Sequence, residues 1–289
     1  MPPHSDAMTV RQAIIWAESV LKSAGIDSSR ADAEWIVGDI LSVDRPTLYL
    51  TSDAILSQIQ IDHLYTLIKN RSNRVPLQHI LGHTEFFSLP FDCSPDALIP
   101  RPETEILVET AIFYLEKCPQ PRILDLCTGS GVIAVSLCHS IPGARVTATD
   151  LSFPALRLAG QNARMNGVAN RISFLQGDFL SPLKREPAFH AIVANPPYIP
   201  SPALPCLQPE VRDFDPWTAL DGGQDGLTCI RTIISEAHTL LLEGGFVLLE
   251  TEHNQCHTVA ALLRKHLPDV KILKDLTRTE RFVIGIRTL

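Results

Sequence analysis

The stretch that decides the fold is LDLCTGSGVIA, residues 124–134. It begins as an apolar strand, turns through a loop with glycines at positions 129 and 131, and continues as an apolar helical pattern. Glycines at these positions allow a tight turn and let a ligand approach the backbone closely. A strand, a glycine loop and a helix in this order predict a nucleotide-type binding loop in an α/β sheet.

Strand and helix patterns alternate around this loop. A helical pattern over residues 101–117 precedes it, and further helices are predicted after Gly131, Ser152, Asp225 and His253. The alternation predicts a doubly wound sheet, in which ligands bind at the carboxyl ends of the strands, near the point where the strand order reverses. The predicted strands are residues 122–126, 145–150, 171–176, 190–195, 245–251 and 281–287.

The glycine loop alone fits two kinds of ligand, because GSGVIA also matches the dinucleotide pattern G-x-G-x-x-A. Asp150 ends the next predicted strand, 19 residues after Gly131, where such folds place a carboxylate on a ribose diol. Asp125 lies four residues before Gly129. Its carboxylate would repel a pyrophosphate but attract an ammonium or sulfonium group, which favours S-adenosylmethionine over a dinucleotide.

A pair of residues that follows the third predicted strand, Asp178 and Phe179, suggests a binding site for adenine. Asp178 has a carboxylate that can accept a hydrogen bond from the adenine amino group, and Phe179 can pack on the ring. A capped turn followed by a core phenylalanine explains the same pair equally well.

The tetrapeptide NPPY, residues 195–198, follows the apolar run AIVA. Each proline restricts the residue before it to an extended conformation and lacks an N–H group, so the segment is short and rigid. The Asn195 side-chain oxygen and the Pro196 carbonyl can then serve as two fixed acceptors for a substrate –NH2 group, with Tyr198 as a wall beside it. This arrangement predicts methyl transfer to a planar amino group, for which the site supplies orientation rather than a general base.

The first part of the chain has a different pattern. Helical periodicity repeats over residues 9–24, 29–43 and 57–71, and residues 1–77 are predicted to form a small helical bundle. Residues 78–100 alternate between apolar and polar positions and predict a β-hairpin linker, after which residues 101–289 form the catalytic domain. The proline-rich stretch 199–224 is interpreted as a lid over the acceptor site.

Composition excludes several classes of protein. Seven cysteines without a C-x-x-C pair argue against a disulfide framework or a zinc ribbon. The i, i+4 histidine pairs His79/His83 and His253/His257 have no obvious third ligand at metal spacing, so no metal is expected. No apolar run approaches the roughly 20 residues that a membrane helix needs, and the N-terminus has no signal pattern, which predicts a cytoplasmic protein that does not bind membranes. Residues 1–90 carry seven Lys or Arg against ten Asp or Glu, which does not favour nucleic-acid binding.

These motifs, taken together, resemble one known family. PLQHILGHTEFF (76–87), LIPRPETEILVE (98–109), LDLCTGSG (124–131), VANPPYIP (193–200), ALDGGQDGL (219–227) and GGFVLLE (244–250) are similar to the HemK/PrmC family of release-factor glutamine N5-methyltransferases. The resemblance implies a helical first domain and a Rossmann-like class I methyltransferase domain. It also implies S-adenosylmethionine as donor, S-adenosylhomocysteine as product, and the glutamine of the Gly-Gly-Gln motif in class 1 peptide-chain release factors as acceptor.

The resemblance also implies roles for individual residues. The donor site would be lined by Cys127, Thr128, Gly129, Ser130, Gly131, Asp150, Phe179 and Asn195, with Asp125 and Asp178 added by the reasoning above. The residues Asn195, Pro196, Pro197 and Tyr198 would hold the glutamine amide. Cys127 departs from the family, which usually has glycine there.

One rival reading uses the same chemistry. An adenine-N6 DNA methyltransferase could hold its exocyclic amine with the same NPPY segment, but it would need a basic and aromatic region for recognition and base flipping. The acidic first domain provides no such region.

Overall fold

The structure is a computed structural model of the protein and describes residues 8–288. The first seven residues of the predicted helical domain and Leu289, at the end of the predicted catalytic domain, lie outside the described residues. The chain forms two compact units. One, the helical unit, contains the described residues up to Gly82 together with Pro209–Phe214, and the other, the catalytic unit, contains His83–Gln208 and Asp215 onwards.

The helical unit is built from amphipathic helices that bury one face in a shared apolar core. Thr9 and Gln12 form the capping box that their spacing predicts, and Ala13, Ala17 and Leu21 of the first helix are completely buried. The helices are α1 (Val10–Ser23), α2 (Ser29–Leu41), α3 (Arg45–Leu50), α4 (Gln58–Ser72) and α5 (Leu77–Leu81).

Ion pairs join the segment Pro209–Phe214 to the helical unit. This segment contains the short helix α9 (Pro209–Arg212). The Arg71 side chain is buried and donates to Asp32 at 2.7 Å and to Glu210 at 3.0 Å. Arg74 donates to the second Glu210 oxygen at 2.7 Å. The predicted lid stretch therefore contributes its middle part to the helical unit, while both of its ends belong to the catalytic unit.

The β-hairpin spans His83–Asp92, which is shorter than the predicted 78–100 linker, and it belongs to the catalytic unit. Helix α5 occupies the first residues of that range and ends at Gly82, whose φ of 77° suits glycine. The strands β1 (His83–Phe86) and β2 (Leu89–Asp92) follow. Phe86 and Phe91 are buried in the main core of the catalytic unit, so the hairpin is part of that unit rather than a separate linker.

The catalytic unit contains the alternating strands and helices that the sequence predicts, with one strand more. The additional strand, β8, was not predicted because its sequence, DVKILK, is mixed, as is common for a strand at the edge of a sheet. The elements are α6 (Glu103–Leu115), β3 (Arg122–Leu126), α7 (Val132–Ser140), β4 (Arg145–Asp150), α8 (Phe153–Met165), β5 (Ile172–Gln176), β6 (Phe189–Ala194), α10 (Trp217–Leu220), α11 (Thr228–Leu240), β7 (Leu241–Glu250), α12 (Cys256–Leu263), β8 (Asp269–Lys274) and β9 (Glu280–Ile286), with short 3₁₀ helices at Ala169–Arg171, Ser201–Cys206 and His253–Gln255.

The main sheet confirms the predicted doubly wound fold. Within residues 8–288 its seven strands lie in the order β5-β4-β3-β6-β7-β9-β8, and β9 runs antiparallel to both of its neighbours. From β3 the chain proceeds to β4 and β5 on one side, whereas β6 and β7 lie on the other. The strand order therefore reverses between β3 and β6, which is where such a sheet binds its ligand.

Side chains of the central strands alternate between two apolar cores. Ile123, Ala191 and Val193 belong to the core on one face, while Leu124 and Ile192 belong to the core on the other. Burial on both faces explains why these strands are almost continuously apolar. The polar residues at their carboxyl ends are therefore exceptions that need a separate explanation.

Candidate active site

A cavity of about 430 Å³ opens at the carboxyl ends of β3, β4 and β6 in the catalytic unit. It lies at the reversal of the strand order, where the topology predicts a ligand. Most of the residues singled out from the sequence lie on its wall: Cys127, Thr128, Gly129, Ser130, Asp150, Asp178, Phe179, Asn195 and Pro197. Asp125, Gly131, Pro196 and Tyr198 do not line it.

The glycine loop is fixed by Asp150, the residue that ends β4. One Asp150 oxygen accepts from the Gly129 N–H at 2.9 Å, and the other accepts from the Ser152 N–H at 2.9 Å. Gly129 has a φ of 56°, and a Cβ placed on it would meet only the Ala97 Cβ, at 4.0 Å. The loop therefore presents bare backbone to the cavity, which leaves space for a ligand.

Gly131 has a different role from Gly129. Its φ is 85°, and a Cβ placed on it would lie 2.9 Å from the Cβ of Ala159 in α8. Only glycine permits this close approach of the α7 N-terminus to α8. Gly131 thus positions the loop by letting α7 pack closely against α8, which is the role of the third glycine in the G-x-G-x-x-G motif.

Asp125 lies beneath the loop rather than at its surface, which differs from the expectation that it faces the ligand. Its side chain is completely buried, and one oxygen accepts from the Thr128 hydroxyl at 2.5 Å and from the Ala134 N–H at 3.2 Å. Burial raises the pKa of Asp125 to about 7. The carboxylate turns inwards, where these two donors near the start of α7 bind one oxygen, while the other oxygen is buried without a hydrogen-bond partner.

Two wall residues adopt the left-handed conformation although they are not glycine. Cys127 has a φ of 57°, and Phe179 has a φ of 45°. The left-handed region of backbone conformation favours glycine. This agrees with the glycine that the HemK/PrmC resemblance leads one to expect at the position of Cys127. The Phe179 carbonyl accepts from the Thr149 hydroxyl at 3.1 Å, which helps to hold the strained residue in place.

Asn195 is the first residue after β6, and its side chain is positioned by a helix. The Asn195 Nδ2 group donates to the hydroxyl of Thr104, in the first turn of α6, at 3.1 Å. Pro196 and Pro197 are buried, and the Tyr198 carbonyl accepts from Gln255 at 2.9 Å. The NPPY segment is therefore rigid by sequence and is also held at both ends by tertiary contacts.

Charge on the cavity wall distinguishes between the ligands that fit a glycine loop. Within the described part of the chain, the acidic residues on the wall are Asp96, Asp150, Asp178 and Asp221, and Arg101 is the one basic residue. Arg101 donates to the buried Asp215 at 2.8 Å, so its charge is already paired. The negative charge of the wall favours a cationic ligand and disfavours a pyrophosphate.

Sequence reasoning missed several residues of this site. Thr104 lies on the cavity wall, and Glu250, which accepts from its hydroxyl, ends β7. The signal for Glu250 was present, because it is a charged residue at the end of an apolar strand, as Asn195 is a polar residue after one. Thr104 gave no comparable signal, since a threonine near the start of a helix is ordinary.

The tripeptide Gly222-Gly223-Gln224 has the same sequence as the Gly-Gly-Gln acceptor motif, and in this protein it is part of a tight turn. A Cβ on Gly222 would lie 2.6 Å from the Gly226 carbonyl oxygen, and one on Gly223 would lie 2.2 Å from the Thr228 hydroxyl oxygen. Packing therefore explains both glycines.

Two kinds of feature are absent from the described residues. Between residues 8 and 288, no three His, Cys, Asp or Glu side chains come together in an arrangement for binding a metal ion. No helix in the same range has both the length and the apolar character needed to cross a membrane.

Family models match both parts of the chain. The PrmC N-terminal domain matches residues 12–82, and the methyltransferase small domain matches residues 103–203.

Curated relatives are similar over nearly the full length. A release factor glutamine methyltransferase of Moorella thermoacetica is 44% identical over 97% of this chain and 99% of its own. One of Geobacter sulfurreducens is 37% identical over 99% of both chains.

Solved structures share the fold at low identity. A 16S rRNA N2 G1207 methyltransferase of T. thermophilus, solved with AdoMet and guanosine, has a TM-score of 0.52 and 18% identity. The match covers 71% of this chain and 49% of that one, and it supports the Rossmann-like methyltransferase fold alone.

Proposed function

Because the chain belongs to the release factor glutamine methyltransferase family, we propose that it methylates class 1 peptide-chain release factors. The acceptor is the side-chain nitrogen, N5, of the glutamine in their Gly-Gly-Gln motif. The donor is S-adenosylmethionine, which supplies the methyl group and leaves as S-adenosylhomocysteine. We propose that the modified glutamine supports termination of translation and that the protein acts in the cytoplasm.

The cavity wall suits this donor. The bare backbone at Gly129 leaves room for it, and Asp150 and Phe179 lie on the cavity wall. We propose that Asp150 accepts from the ribose hydroxyls and that Phe179 packs against adenine. The acidic wall complements the ammonium and sulfonium groups. Cys127, Thr128 and Ser130 complete the loop side of this pocket.

The acceptor glutamine is held by the NPPY segment. Asn195 Nδ2 is engaged by Thr104, which leaves the Asn195 oxygen to accept one N–H of the glutamine amide. We assign the other N–H to the main-chain carbonyl of Pro196, which adjoins the cavity through Asn195 and Pro197 but does not itself line it. Holding both N–H bonds aims the nitrogen in a third direction, towards the donor pocket. No general base is needed before transfer, because the nitrogen becomes acidic as it gains the methyl group.

The observation that carries the proposal is the position of Asn195. It lies on the wall of the same cavity as the glycine loop, at the end of the strand next to β3. The rival function, adenine methylation in DNA, uses the same segment, but it would need a basic and aromatic recognition region, whereas residues 1–90 carry more acidic than basic residues. The full-length relatives cited above carry the release factor name.

Recognition of the release factor is assigned to the helical unit. A pocket for a glutamine amide alone does not distinguish one exposed glutamine from another, so contacts elsewhere must supply specificity. Between residues 49 and 59 the helical unit exposes four large apolar side chains: Tyr49, Leu50, Ile55 and Ile59. We propose that this patch docks on the body of the release factor.

Mass spectrometry tests the function directly. The protein is incubated with S-adenosylmethionine and a recombinant class 1 release factor, and in a parallel reaction with double-stranded DNA. We expect one methyl group on the glutamine of Gly-Gly-Gln and none on adenine. An unmodified glutamine with methylated adenine would establish the rival function instead.

A further inference from the structure

A chain of three polar side chains leads from the cavity wall into the core of the catalytic unit. The Asn195 Nδ2 group donates to Thr104 Oγ1 at 3.1 Å, and Thr104 Oγ1 donates to Glu250 Oε2 at 2.8 Å. Thr104 is 2% exposed and Glu250 is 1% exposed. The three residues come from three different elements: the end of β6, the first turn of α6 and the end of β7.

Neighbouring strands bring the two ends of this chain together. β6 and β7 are parallel, and Ala194 of β6 pairs with Leu249 of β7. Asn195, the first residue after β6, and Glu250, the last residue of β7, therefore lie side by side at this end of the sheet. Thr104 joins them from the first turn of helix α6.

Packing alone does not explain polar side chains at these buried positions. Removing a carboxylate from water is costly, and a pair of apolar side chains of similar volume would fill the same space at no such cost. The cost is visible in Glu250, because burial raises its pKa to about 7. The Thr104 hydroxyl and the Glu250 carboxylate therefore have a role other than filling the space.

While Glu250 is ionised it can only accept, and the hydrogen bonds in this chain then have a fixed direction. A threonine hydroxyl has one proton, and here that proton goes to Glu250. Thr104 is then only an acceptor towards Asn195, so it must receive the Asn195 –NH2 group. The Asn195 oxygen is consequently turned away from Thr104 and is free to accept in the cavity.

We propose that Thr104 and Glu250 are positioning residues that hold the Asn195 amide with its oxygen towards the acceptor. The inference rests on the proposed function, in which that oxygen accepts from the substrate –NH2 group. Without the Thr104 hydroxyl the amide can rotate, and its own –NH2 group then opposes the substrate –NH2 group. Both are donors, so the reversed amide does not bind the acceptor in its reactive orientation.

Two variants of Thr104 distinguish the effect of its hydroxyl group from the effect of its side-chain volume. Thr104→Val removes the hydroxyl and keeps the shape, whereas Thr104→Ser keeps the hydroxyl. Thr251→Val is the matched control, because Thr251 is equally buried, follows Glu250 directly and bonds to the Glu252 carbonyl instead of Asn195. We expect Thr104→Val to lower kcat about 10-fold or more with donor affinity unchanged, and Thr104→Ser to recover most of the loss.

A spectroscopic readout tests the positioning without any substrate. The side-chain ¹⁵N–¹H signals of Asn195 are assigned by their loss in Asn195→Ala. We expect these signals to move in Thr104→Val and to stay near their wild-type positions in Thr104→Ser and Thr251→Val. Unmoved signals in Thr104→Val would overturn the proposal, as would moved signals with an unchanged kcat.

The two readouts also separate this proposal from the proposed function. If the wild-type protein left the release factor unmodified, the proposed function would fail. The amide signals would still report whether Thr104 holds Asn195. If the wild-type protein were active and Thr104→Val lost no more activity than Thr251→Val, the function would stand and the positioning role would be wrong.

Discussion

Asn195 combines a position that the sequence dictates with an orientation that the fold dictates. The following prolines restrict its backbone, and Thr104 fixes its amide. In the proposed reaction its oxygen acts at the reacting centre, whereas the donor pocket is formed mainly by other residues. The loss of this one side chain should therefore affect the chemical step much more than donor binding.

We predict that Asn195→Ala lowers kcat by about 100-fold or more, the order seen when one preorganised hydrogen-bonding group is removed at a reacting centre. Steady-state methylation of the release factor measures kcat, and titration calorimetry checks that donor affinity is mostly kept. A variant that retained more than about a tenth of the wild-type kcat would exclude the acceptor role.

Asp150 is predicted to govern donor binding. Its carboxylate lies on the cavity wall and accepts from the Gly129 N–H, so its loss removes the proposed partner of the ribose and a contact that holds the loop. Asp150→Ala should weaken donor binding by about 1.5–3 kcal/mol, the scale of a lost charge-assisted hydrogen bond. Calorimetry with S-adenosylmethionine measures this change. An unchanged affinity would show that the ribose is held elsewhere.

Asp125 should make stability depend on pH. Its pKa is raised by burial to about 7 in the folded protein, against about 3.9 in an unfolded chain. The folded state therefore holds its proton more tightly, and this contribution is complete below about pH 4 and is lost as the pH rises through about 7. Asp125→Asn, which has no proton to lose, should show a smaller fall in unfolding free energy between pH 5 and pH 8.

Denaturant titrations of both proteins at pH 5 and pH 8, without donor, measure this difference, which should be on the order of a few kcal/mol. Glu250, whose pKa is also raised to about 7, keeps part of the dependence in both proteins. Equal pH dependence of the wild type and the variant would mean that Asp125 is ionised in the folded state across this range.

Among the elements, the junction of the glycine loop with α7 and α8 sets the shape of the donor pocket. Gly131 brings the N-terminus of α7 against Ala159 of α8, and Asp150 ties the loop to the end of β4. The loop is thus fixed between two helices and a strand, so a ligand does not have to order it on binding.

We predict that Gly131→Ala destabilises the protein more than Gly167→Ala does. Both glycines have a positive φ, of 85° and 71°, so alanine is strained at both positions by about 1–2 kcal/mol. At Gly167 a Cβ meets nothing within 4 Å, whereas at Gly131 it meets Ala159 at 2.9 Å, which should add about 1–3 kcal/mol. Chemical denaturation of the two variants compares them, and equal losses would mean that α8 adjusts without cost.

At the scale of the whole molecule, the two units are proposed to divide recognition and chemistry. The predicted site residues belong to the catalytic unit, while the exposed apolar patch at residues 49–59 belongs to the helical unit. A docking patch raises the effective concentration of the acceptor loop at Asn195 without taking part in the reaction.

We predict that Leu50→Asp and Ile59→Asp each raise KM for the intact release factor several-fold and leave kcat nearly unchanged. Both side chains are exposed, at 86% and 82%, so the changes should not disturb folding. Leu276→Asp is the matched control, because Leu276 is 89% exposed in the catalytic unit. Slow methylation of a short Gly-Gly-Gln peptide should be the same in all three variants. If peptide methylation fell as much as that of the release factor, the patch would not be a docking surface.

The order of strands and helices, the glycine loop and the rigid NPPY segment could all be predicted from the amino-acid sequence. Each of these depends on a local pattern: periodicity, glycines that permit a turn, and prolines that restrict their neighbours. Most of the site residues that the sequence predicted lie on the cavity wall, because polar residues at the ends of parallel strands meet at the same edge of the sheet.

Contacts between residues that are distant in sequence could not be predicted and are seen only in the folded protein. Asn195 and Thr104 are 91 positions apart, and Thr104 and Glu250 are 146 apart, so no local pattern links them. The inward turn of Asp125, the packing of the hairpin in the catalytic unit and the grouping of Pro209–Phe214 with the helical unit likewise depend on which surfaces meet. A side chain's direction and partners are set by the elements packed around it, and those elements are in place only once the chain has folded.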